Sequence, residues 1–222
     1  MAATMSPSSP AVSTDPAPRT GQVLRFSSIQ RFVHWTFAAL VFGCLLTALA
    51  LYVGPIATLV GRRALLRSIH LYCGYLLPVP LLLGLWDKTY RADLRRLDRF
   101  GPDDTQWLRN KRARRSGRLA TGKFNAGQKL AASFFLGSVI VFLTTGAAMA
   151  NLGGIWSLTV RTGSTLVHQW LALAFGIVVI GHLRLALRDR HAMSAALTGW
   201  VPKAWADREH PAWLSSQRSD PE

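Results

Sequence analysis

The stretch HQWLALAFGIVVIGH, residues 168–182, has a histidine at each end and no charged residue between them. Fourteen residues of α-helix advance roughly 21 Å and turn through about 1400°, which returns to within about 40° of the starting face. His168 and His182 are therefore expected on one stripe of a helix. Because a bilayer-spanning helix needs about 20 apolar residues, this stretch predicts such a span with one imidazole near each membrane surface.

Three other windows of the chain are as free of charge. They are 32–61, 68–86 and 130–160, and the stretch above belongs to a fourth window, 162–183. Each is long enough to cross a bilayer once, and a single segment inside lipid satisfies its backbone polar groups only as a helix. The windows predict an all-α membrane protein with four transmembrane helices in a bundle.

The residues inside the windows argue against two other interpretations. A helix of a soluble bundle would have a polar face, and VFGCLLTALALYV (41–53) has almost none. The first window is too long for a secretory signal peptide and lacks a convincing cleavage site. Gly54-Pro55 and Asn151–Gly154 are turn-forming and should end the first and third helices early. Cys44 and Cys73 fall inside spans, so we expect them to pack rather than to form a disulfide.

The charges outside the windows predict the orientation. The chain has 26 Lys and Arg against 11 Asp and Glu, and the connection 87–129 alone has 13 basic and 5 acidic residues. Four spans put both termini on the side of this connection, which the positive-inside rule places in the cytoplasm. We therefore expect a multi-pass protein of the inner (plasma) membrane with cytoplasmic N- and C-termini. Topology and anionic membrane lipid explain the basic run 109–118, so nucleic acid is not an expected partner.

Composition divides the chain into three regions. Residues 1–20 are rich in Pro, Ser and Ala and have no apolar core, which is typical of disorder. In the last part of the chain, Trp200, Trp205 and Trp213 indicate a contact with the membrane surface or with a partner. The predicted regions are a disordered N-terminal tail over 1–24, a four-helix transmembrane domain over 25–190 and a cytoplasmic C-terminal tail over 191–222.

Four of the six histidines lie in or at the edge of the predicted spans, where an ionisable side chain is costly and a functional role is the default hypothesis. His70 starts the second span and is level with His168. His34 starts the first span and is level with His182. Each level therefore offers two imidazoles from different helices. The other two, His191 and His210, lie beyond the last span and are assigned no role.

Two imidazoles at each level suit a haem held by two axial histidines, stacked twice across the membrane. Zinc would need three or four ligands at a site, with Cys, Asp or Glu contributing, and no carboxylate lies in any span. The lack of carboxylates also weakens a proton-relay interpretation. Arg31 and Arg67 each precede a histidine by three residues on the same helical face, so they are candidates for binding haem propionates or for interfacial anchors.

Five motifs over about residues 25–215 carry a resemblance to a known family. They are RFVHW (31–35), RSIHLYCG (67–74), GKFNAGQK (122–129), the spacing of the two histidines in 168–182, and GWVPKAWADREHPAW (199–213). In this order they resemble the cytochrome b (gamma) subunit of membrane-bound formate dehydrogenases, and GKFNAGQK is the most specific of them. The histidine pattern alone also fits the corresponding subunits of hydrogenases and thiosulfate reductases.

The resemblance implies a dihaem cytochrome b with two haem b groups. One haem would use His70 and His168 toward the outer face, and the other His34 and His182 toward the cytoplasm. Electrons would come from an iron–sulfur (beta) subunit, and formate would be oxidised on a molybdenum- or tungsten-pterin catalytic (alpha) subunit. The chain itself would be the quinone-reducing membrane subunit of the complex.

The resemblance also implies a quinone site beside the inner haem, for menaquinone or ubiquinone. It assigns Asn125 of GKFNAGQK to this site, where the amide can donate to a quinone carbonyl. Gly127 would let the ring approach the backbone, and Gln128 would assist or merely cap the helix. His182 completes the predicted set.

Two alternatives stay open on the sequence. The same scaffold could serve another respiratory oxidoreductase, such as a hydrogenase or a thiosulfate reductase, because formate rests on the resemblance alone. The chain could also be a haem-free membrane anchor or transporter whose histidines form hydrogen bonds between helices.

Overall fold

The computed structural model describes residues 20–110, 112, 119 and 121–219. In this part of the chain nearly all secondary structure is helical. Four segments are long and apolar enough to cross a membrane, and we call them spans 1 to 4; they are Ser28–Tyr52, Arg63–Gly84, Ala126–Met149 and Leu158–Arg188. The predicted fold class, an all-α membrane protein with four transmembrane helices, is confirmed.

Span 1 is helix α1 (Ser28–Tyr52), which begins four residues before its charge-free window. Its start is fixed by a reciprocal cap, in which the Ser27 hydroxyl accepts from the Gln30 amide and the Gln30 side chain accepts from the Ser27 amide. The helix ends at the predicted turn, and the short helix α2 (Gly54–Val60) follows it. The turn residues therefore shorten the first window to one span.

Span 2 consists of two helical pieces, α3 (Arg63–Leu76) and α4 (Pro78–Gly84), which are joined at Leu77. The break follows from Pro78, whose ring removes a backbone donor and crowds the preceding turn. The Leu77 amide donates to the Gly74 carbonyl, so the helix tightens locally before the second piece begins.

Span 3 is α7 (Ala126–Met149) and span 4 is α8 (Leu158–Arg188). Between them the chain reverses at Asn151, which adopts a left-handed conformation with φ of 55°, followed by a single 3₁₀ turn (Leu152–Gly154). Span 4 then starts with the Ser157 hydroxyl as its cap. The predicted turn at Asn151–Gly154 is confirmed.

The remaining elements lie where the two termini and the connection 87–129 meet. Strand β1 (Gln22–Leu24) pairs antiparallel with β2 (Trp200–Pro202). We call residues 20–27, 85–110, 121–125 and 189–219 together the terminal cap, and their side of the bundle the terminal side. Its helices are α5 (Lys88–Asp98), α6 (Pro102–Arg109), α9 (Arg190–Thr198), α10 (Lys203–Glu209) and α11 (Pro211–Ser219).

The terminal cap corrects the prediction of two tails. Residues 1–19 and 220–222 lie outside the described residues, but residues 22–24 form β1, and the chain from 191 to 219 is folded against it. The three tryptophans of this region are each at most 6% exposed, and they pack within the chain rather than on a membrane or partner. These tryptophans are Trp200, Trp205 and Trp213. Helix periodicity could not reveal this packing, because the two paired strands are about 180 residues apart in sequence.

The bundle interior is small and apolar. Its buried residues contact each other at mid-depth, and they are Val41, Leu77, Val139, Phe175 and Val179. Most other apolar side chains of the spans point outward and are exposed, as expected for helices whose outer faces contact lipid.

Candidate haem and quinone sites

Two predicted histidines meet on the side of the bundle that carries the short connections 53–62 and 150–157, which we call the loop side. The imidazoles of His70 in span 2 and His168 in span 4 have centroids 6.3 Å apart and planes inclined by 61°. Both rings are partly buried between the helices. The structure therefore brings together the two residues that the sequence places at one depth.

The other two histidines meet on the terminal side. The rings of His34 in span 1 and His182 in span 4 have centroids 6.4 Å apart and planes inclined by 58°. The edge of the Trp35 indole contacts the His34 ring, and the Phe135 ring contacts that of His182. The bundle thus has two histidine pairs, and we call them the loop-side pair and the terminal-side pair.

The spacing within each pair fits one metal ion between two axial imidazoles. With metal–nitrogen bonds of about 2 Å and roughly 1.1 Å from a ring nitrogen to the ring centre, two opposed ligands have centroids about 6.2 Å apart. The two observed separations are 6.3 and 6.4 Å. No group of three or more His, Cys, Asp or Glu side chains suited to a metal ion occurs among the described residues. The ligand number matches haem, which takes its other four ligands from the porphyrin.

Phenylalanines of spans 3 and 4 fill the space between the two pairs. Phe175 lies midway along the stretch 168–182 and is only 4% exposed. Ring contacts connect the pairs through it in sequence, with centroid separations of 5.9, 5.1, 5.4 and 5.0 Å along His182, Phe135, Phe175, Phe142 and His168. Phe175 of span 4 and these two phenylalanines of span 3 therefore form the partition that separates the sites.

Two threonines contact the loop-side pair, and the sequence analysis missed them. The Thr47 hydroxyl lies 3.0 Å from His70 Nδ1, and the Thr145 hydroxyl lies 2.8 Å from His168 Nδ1. In each case the threonine precedes the histidine by 23 residues, across a hairpin of two spans. This repeated Thr-to-His spacing is the sequence signal that could have identified them.

The two arginines predicted to bind propionates differ in their surroundings. Arg31 donates to the Leu197 carbonyl at 2.8 Å and to the Ser28 hydroxyl at 3.1 Å, so it joins span 1 to α9. Arg67 is exposed on the loop side, and no described residue forms a hydrogen bond or ion pair with it. Arg31 therefore has a structural role in this chain, whereas Arg67 is available to a ligand.

Asn125 is the N-cap of span 3. Its side-chain oxygen accepts from the Gln128 amide, and the Gln128 side chain accepts from the Asn125 amide, both at 3.0 Å. No described residue accepts a hydrogen bond from the side-chain nitrogen of Asn125. The residue can thus cap the helix with one atom and offer a donor with another.

Gly127 does not offer the open backbone that the sequence analysis predicted. A Cβ at this position would lie 3.2 Å from the Trp107 indole and 3.3 Å from Asn125 Oδ1. The indole of helix α6 therefore occupies the approach to this glycine. The absence of a side chain is explained by the packing of α6 against span 3.

The segment that leads into Asn125 is held by both ends of the chain. Arg25, next to β1, donates to the Lys123 carbonyl at 2.8 Å. His210, in the turn between α10 and α11, contacts the Gly122 carbonyl through Nδ1 at 2.7 Å. His210 therefore has a structural role, in contrast to the sequence interpretation. Burial, and secondly the nearby Arg25 guanidinium, lower the pKa of His210 to about 4.

A buried carboxylate anchors the same segment from a third direction. Asp93 of α5 is 5% exposed and accepts hydrogen bonds from Gln30, Arg96 and Lys123. Burial lowers the pKa of the Lys123 ammonium, and the Asp93 carboxylate opposes that shift. The GKFN part of the motif is thus fixed by a network that joins span 1, α5 and the start of span 3.

A polar cavity of about 100 Å³ lies inside the terminal cap. It is large enough for a few ordered water molecules, which need polar partners. Its lining includes both residues of the reciprocal cap of span 3 and two carboxylates; these are Asn125, Gln128, Asp189 and Glu209.

Comparisons with known proteins agree with this geometry. A profile of the family described as "Prokaryotic cytochrome b561" matches residues 25–199. The chain is 24% identical over 215 residues to the formate dehydrogenase cytochrome b556(fdo) subunit of Escherichia coli K12. The aligned region covers 92% of this chain and 97% of that protein. The resemblance stated from the sequence motifs is confirmed.

Two other relatives have similar coverage. The formate dehydrogenase cytochrome b556 subunit of Haemophilus influenzae is 22% identical over 88% of this chain and 84% of its own length. The nitrate-inducible formate dehydrogenase cytochrome b556(Fdn) subunit of E. coli K12 is 23% identical over 88% of this chain and 91% of its own length. With a family match over most of its length and four membrane-spanning helices, the chain belongs to the prokaryotic cytochrome b561 family, an assignment that implies an integral membrane protein with haem b as its cofactor.

Proposed function

We propose that the chain is the membrane cytochrome b subunit of a formate dehydrogenase complex, which passes electrons from an iron–sulfur subunit through two haem b groups to a quinone. The observation that carries this proposal is the stacking of two histidine pairs at bis-imidazole spacing within one bundle. The names of the relatives that match nearly the whole chain support formate dehydrogenase as the parent complex.

In this proposal the four histidines would hold the haems. His70 and His168 would hold one haem on the loop side, and His34 and His182 would hold the other on the terminal side. When bound, each haem supplies a one-electron carrier. The chain itself provides the ligands, the apolar partition around Phe175 and the exclusion of water from the bundle interior.

In this proposal the chain spans the inner membrane. The distribution of charge supports an orientation with the terminal cap in the cytoplasm. The connection 87–129 has 13 basic residues, whereas the loop side has only four, which are Arg62, Arg63, Arg67 and Arg161. The loop side would then face the iron–sulfur subunit and, beyond it, the molybdenum- or tungsten-pterin subunit that oxidises formate.

We further propose that quinone, either menaquinone or ubiquinone, is reduced on the terminal side next to His182 and Asn125. The free amide donor of Asn125 suits a quinone carbonyl, and Gln128 lines the same polar cavity. Water in this cavity would supply the protons that quinone reduction consumes. Because Trp107 covers Gly127, a quinone that contacts this glycine would first have to displace the indole.

The assignment of the two pairs is tested with the complete complex, purified with wild-type, His182→Ala or His168→Ala subunits. Each variant should retain one haem b per chain where the wild type has two, as counted by the reduced-minus-oxidised spectrum. His182→Ala should abolish quinone reduction but leave formate oxidation with an artificial dye acceptor intact. Two haems in either variant, or normal quinone reduction in His182→Ala, would contradict the proposal.

The role of Asn125 is tested by variants that keep the helix cap. Asp and Ser both cap helices well; ionised Asp has no donor, and the Ser hydroxyl sits one bond closer to the backbone than the Asn amide nitrogen, so it does not reach the same position. Asn125→Asp and Asn125→Ser should therefore preserve both haems and raise the KM for quinone about tenfold or more. Gln128→Ala removes only one half of the reciprocal cap and serves as the comparison. Unchanged quinone kinetics in both Asn125 variants would exclude the amide as a quinone ligand.

A further inference from the structure

Each loop-side histidine has a hydrogen-bond partner at Nδ1. Thr47 Oγ1 lies 3.0 Å from His70 Nδ1, and the Cys44 carbonyl lies 3.1 Å from the same nitrogen. Thr145 Oγ1 lies 2.8 Å from His168 Nδ1. Both threonines belong to the helix that precedes the histidine's own span, so the contact crosses each hairpin in the same way.

The direction of these hydrogen bonds follows from the other contacts of the two hydroxyls. Thr47 donates to the Gly43 carbonyl at 2.6 Å, and Thr145 donates to the Val141 carbonyl at 2.6 Å. A hydroxyl has one proton, so each threonine oxygen is left to accept from the imidazole. His70 supports this direction independently, because the second atom near its Nδ1 is a carbonyl oxygen, which can only accept.

Each loop-side imidazole therefore carries its proton on Nδ1 and has an unprotonated Nε2. This is the tautomer that a metal ligand needs at Nε2, and an Nδ1 hydrogen bond also fixes the plane of the ring. The helix backbone holds the threonine, and the threonine holds the imidazole. The ligand geometry of the loop-side pair is thus set by the chain itself.

The terminal-side pair has no such arrangement. No described residue forms a hydrogen bond with a ring nitrogen of His34 or His182, and their neighbours are the aromatic rings of Trp35 and Phe135. The two pairs match in spacing but differ in what surrounds the second nitrogen. A difference of this kind acts on the basicity of the ligand and thereby on the redox potential of the metal.

We propose that Thr47 and Thr145 are positioning residues that lower the redox potential of the loop-side haem selectively. This rests on the proposed function, in which that haem is bound by His70 and His168. A hydrogen bond from Nδ1–H makes imidazole a stronger donor to iron and so favours the ferric state. No described residue makes this contribution to the terminal-side haem, so the difference favours electron movement from the loop side to the terminal side.

The test is a potentiometric titration of the purified complex with isosteric variants. Among the described residues, Thr145 is the only Nδ1 partner of His168. Thr145→Val removes this partner, and at a fixed ambient potential it should raise the ferrous-to-ferric ratio of one haem about tenfold, equivalent to about 59 mV. Thr47→Val should have a smaller effect, because the Cys44 carbonyl still accepts from His70. The second haem should titrate as in the wild type in both variants.

Two controls separate this effect from changes in helix packing. Thr144→Val removes the neighbouring hydroxyl, which bonds the Ile140 carbonyl in the same manner but contacts no histidine, and it should change neither potential. Thr145→Ser keeps the acceptor and should restore the wild-type potential. In Thr145→Val, the electron paramagnetic resonance signal of one low-spin ferric haem should shift, because this signal depends on the angle between the two imidazole planes.

The outcomes distinguish this inference from the proposed function. Two haems with wild-type potentials and spectra in Thr145→Val would overturn the role of the threonines and leave the haem assignment standing. Loss of one haem from Thr145→Val that Thr145→Ser restores would support the positioning role. A wild-type chain with fewer than two haems would overturn the proposed function itself, and this inference with it.

Discussion

The bundle and the terminal cap arrange their polar side chains in opposite ways. In the bundle, the spans contain no carboxylate, and the imidazoles of each histidine pair face each other without a hydrogen bond between them. In the cap, buried charges are paired with each other or with carbonyl groups, as for Asp93 with Lys123. The bundle thus presents its polar groups to a ligand, whereas the cap uses them to hold its own backbone.

This difference has a consequence for how the two regions respond to substitution. Changes in the cap should lower its local stability and leave the haem content unchanged. Changes in the bundle should act on haem content or on the packing between spans. Local stability can be measured in the intact complex by hydrogen exchange of backbone amides, which reports the opening of separate regions.

The largest expected effect comes from Asp93→Ala in the cap. It leaves the buried Lys123 ammonium without its carboxylate, and breaking a buried ion pair in this way costs about 3–5 kcal/mol. We expect the amides of α5 and β1 to exchange faster by the factor that this loss of free energy implies, with two haems still bound. Glu209→Gln is the control, because its pair with Arg208 is exposed and contributes about 0–1 kcal/mol. Loss of haem from Asp93→Ala would show that the two regions are not independent.

The second prediction concerns pH and His210. Its pKa is about 4 in the folded cap and 6.5 in the unfolded chain, so unfolding takes up a proton between these values. The stability contributed by neutral His210 is fully present above pH 6.5 and is lost as the pH falls toward 4, by about 3 kcal/mol in total. Exchange of the β1 and β2 amides, corrected for intrinsic rates, should show this loss.

The matched variant for this prediction is His210→Gln. Its amide can still donate to the Gly122 carbonyl but does not titrate, so the stability of the cap should depend less on pH between 6.5 and 4. His191→Gln exchanges the other histidine of the cap for the same amide side chain and serves as the comparison. An unchanged slope in His210→Gln would show that His210 is not the source of the pH effect.

The two regions also differ in how much of them the sequence could predict. The four spans follow from charge-free windows, and the paired histidines follow from their depth along those windows, because helix rise and membrane thickness set both. The threonine contacts need only one further local measure, the 23-residue spacing to each histidine. Most features of the bundle can therefore be predicted from distances along its helices.

The cap depends on contacts that no periodicity reveals. Pairing of β1 with β2, the hold of Arg25 on the Lys123 carbonyl and the burial of His210 all join segments about 90 to 180 residues apart. Charged and aromatic residues of this kind are also typical of membrane surfaces, which is why the sequence predicts a tail over residues 191–222. The prediction of open backbone at Gly127 differs from the structure for the same reason, because its neighbour Trp107 belongs to another helix.

The third prediction compares two glycines of the cap that have left-handed backbone conformations. Gly199 has φ of 88°, and a Cβ there would overlap the Phe26 carbonyl. Gly21 has φ of 78°, but a Cβ there would meet no atom within 4 Å. Gly21→Ala should therefore cost only the backbone strain of about 1–2 kcal/mol, and Gly199→Ala about 1–2 kcal/mol more. Equal exchange at β1 and β2 in the two variants would mean that the Phe26 carbonyl moves aside without cost.

The smallest effect is expected at the contact between spans 1 and 2 in the bundle. A Cβ at Gly43 would lie 2.9 Å from the Cys73 sulfur, which is a side-chain atom and can shift more readily than a carbonyl. Gly43→Ala should cost about 1 kcal/mol, seen as a lower temperature of haem release. Cys73→Ala in the same chain removes the overlap, so the double variant should be more stable than the two single effects predict. Additive effects would instead mean that the bundle is loose enough here to accept a methyl group, unlike the cap at Gly199.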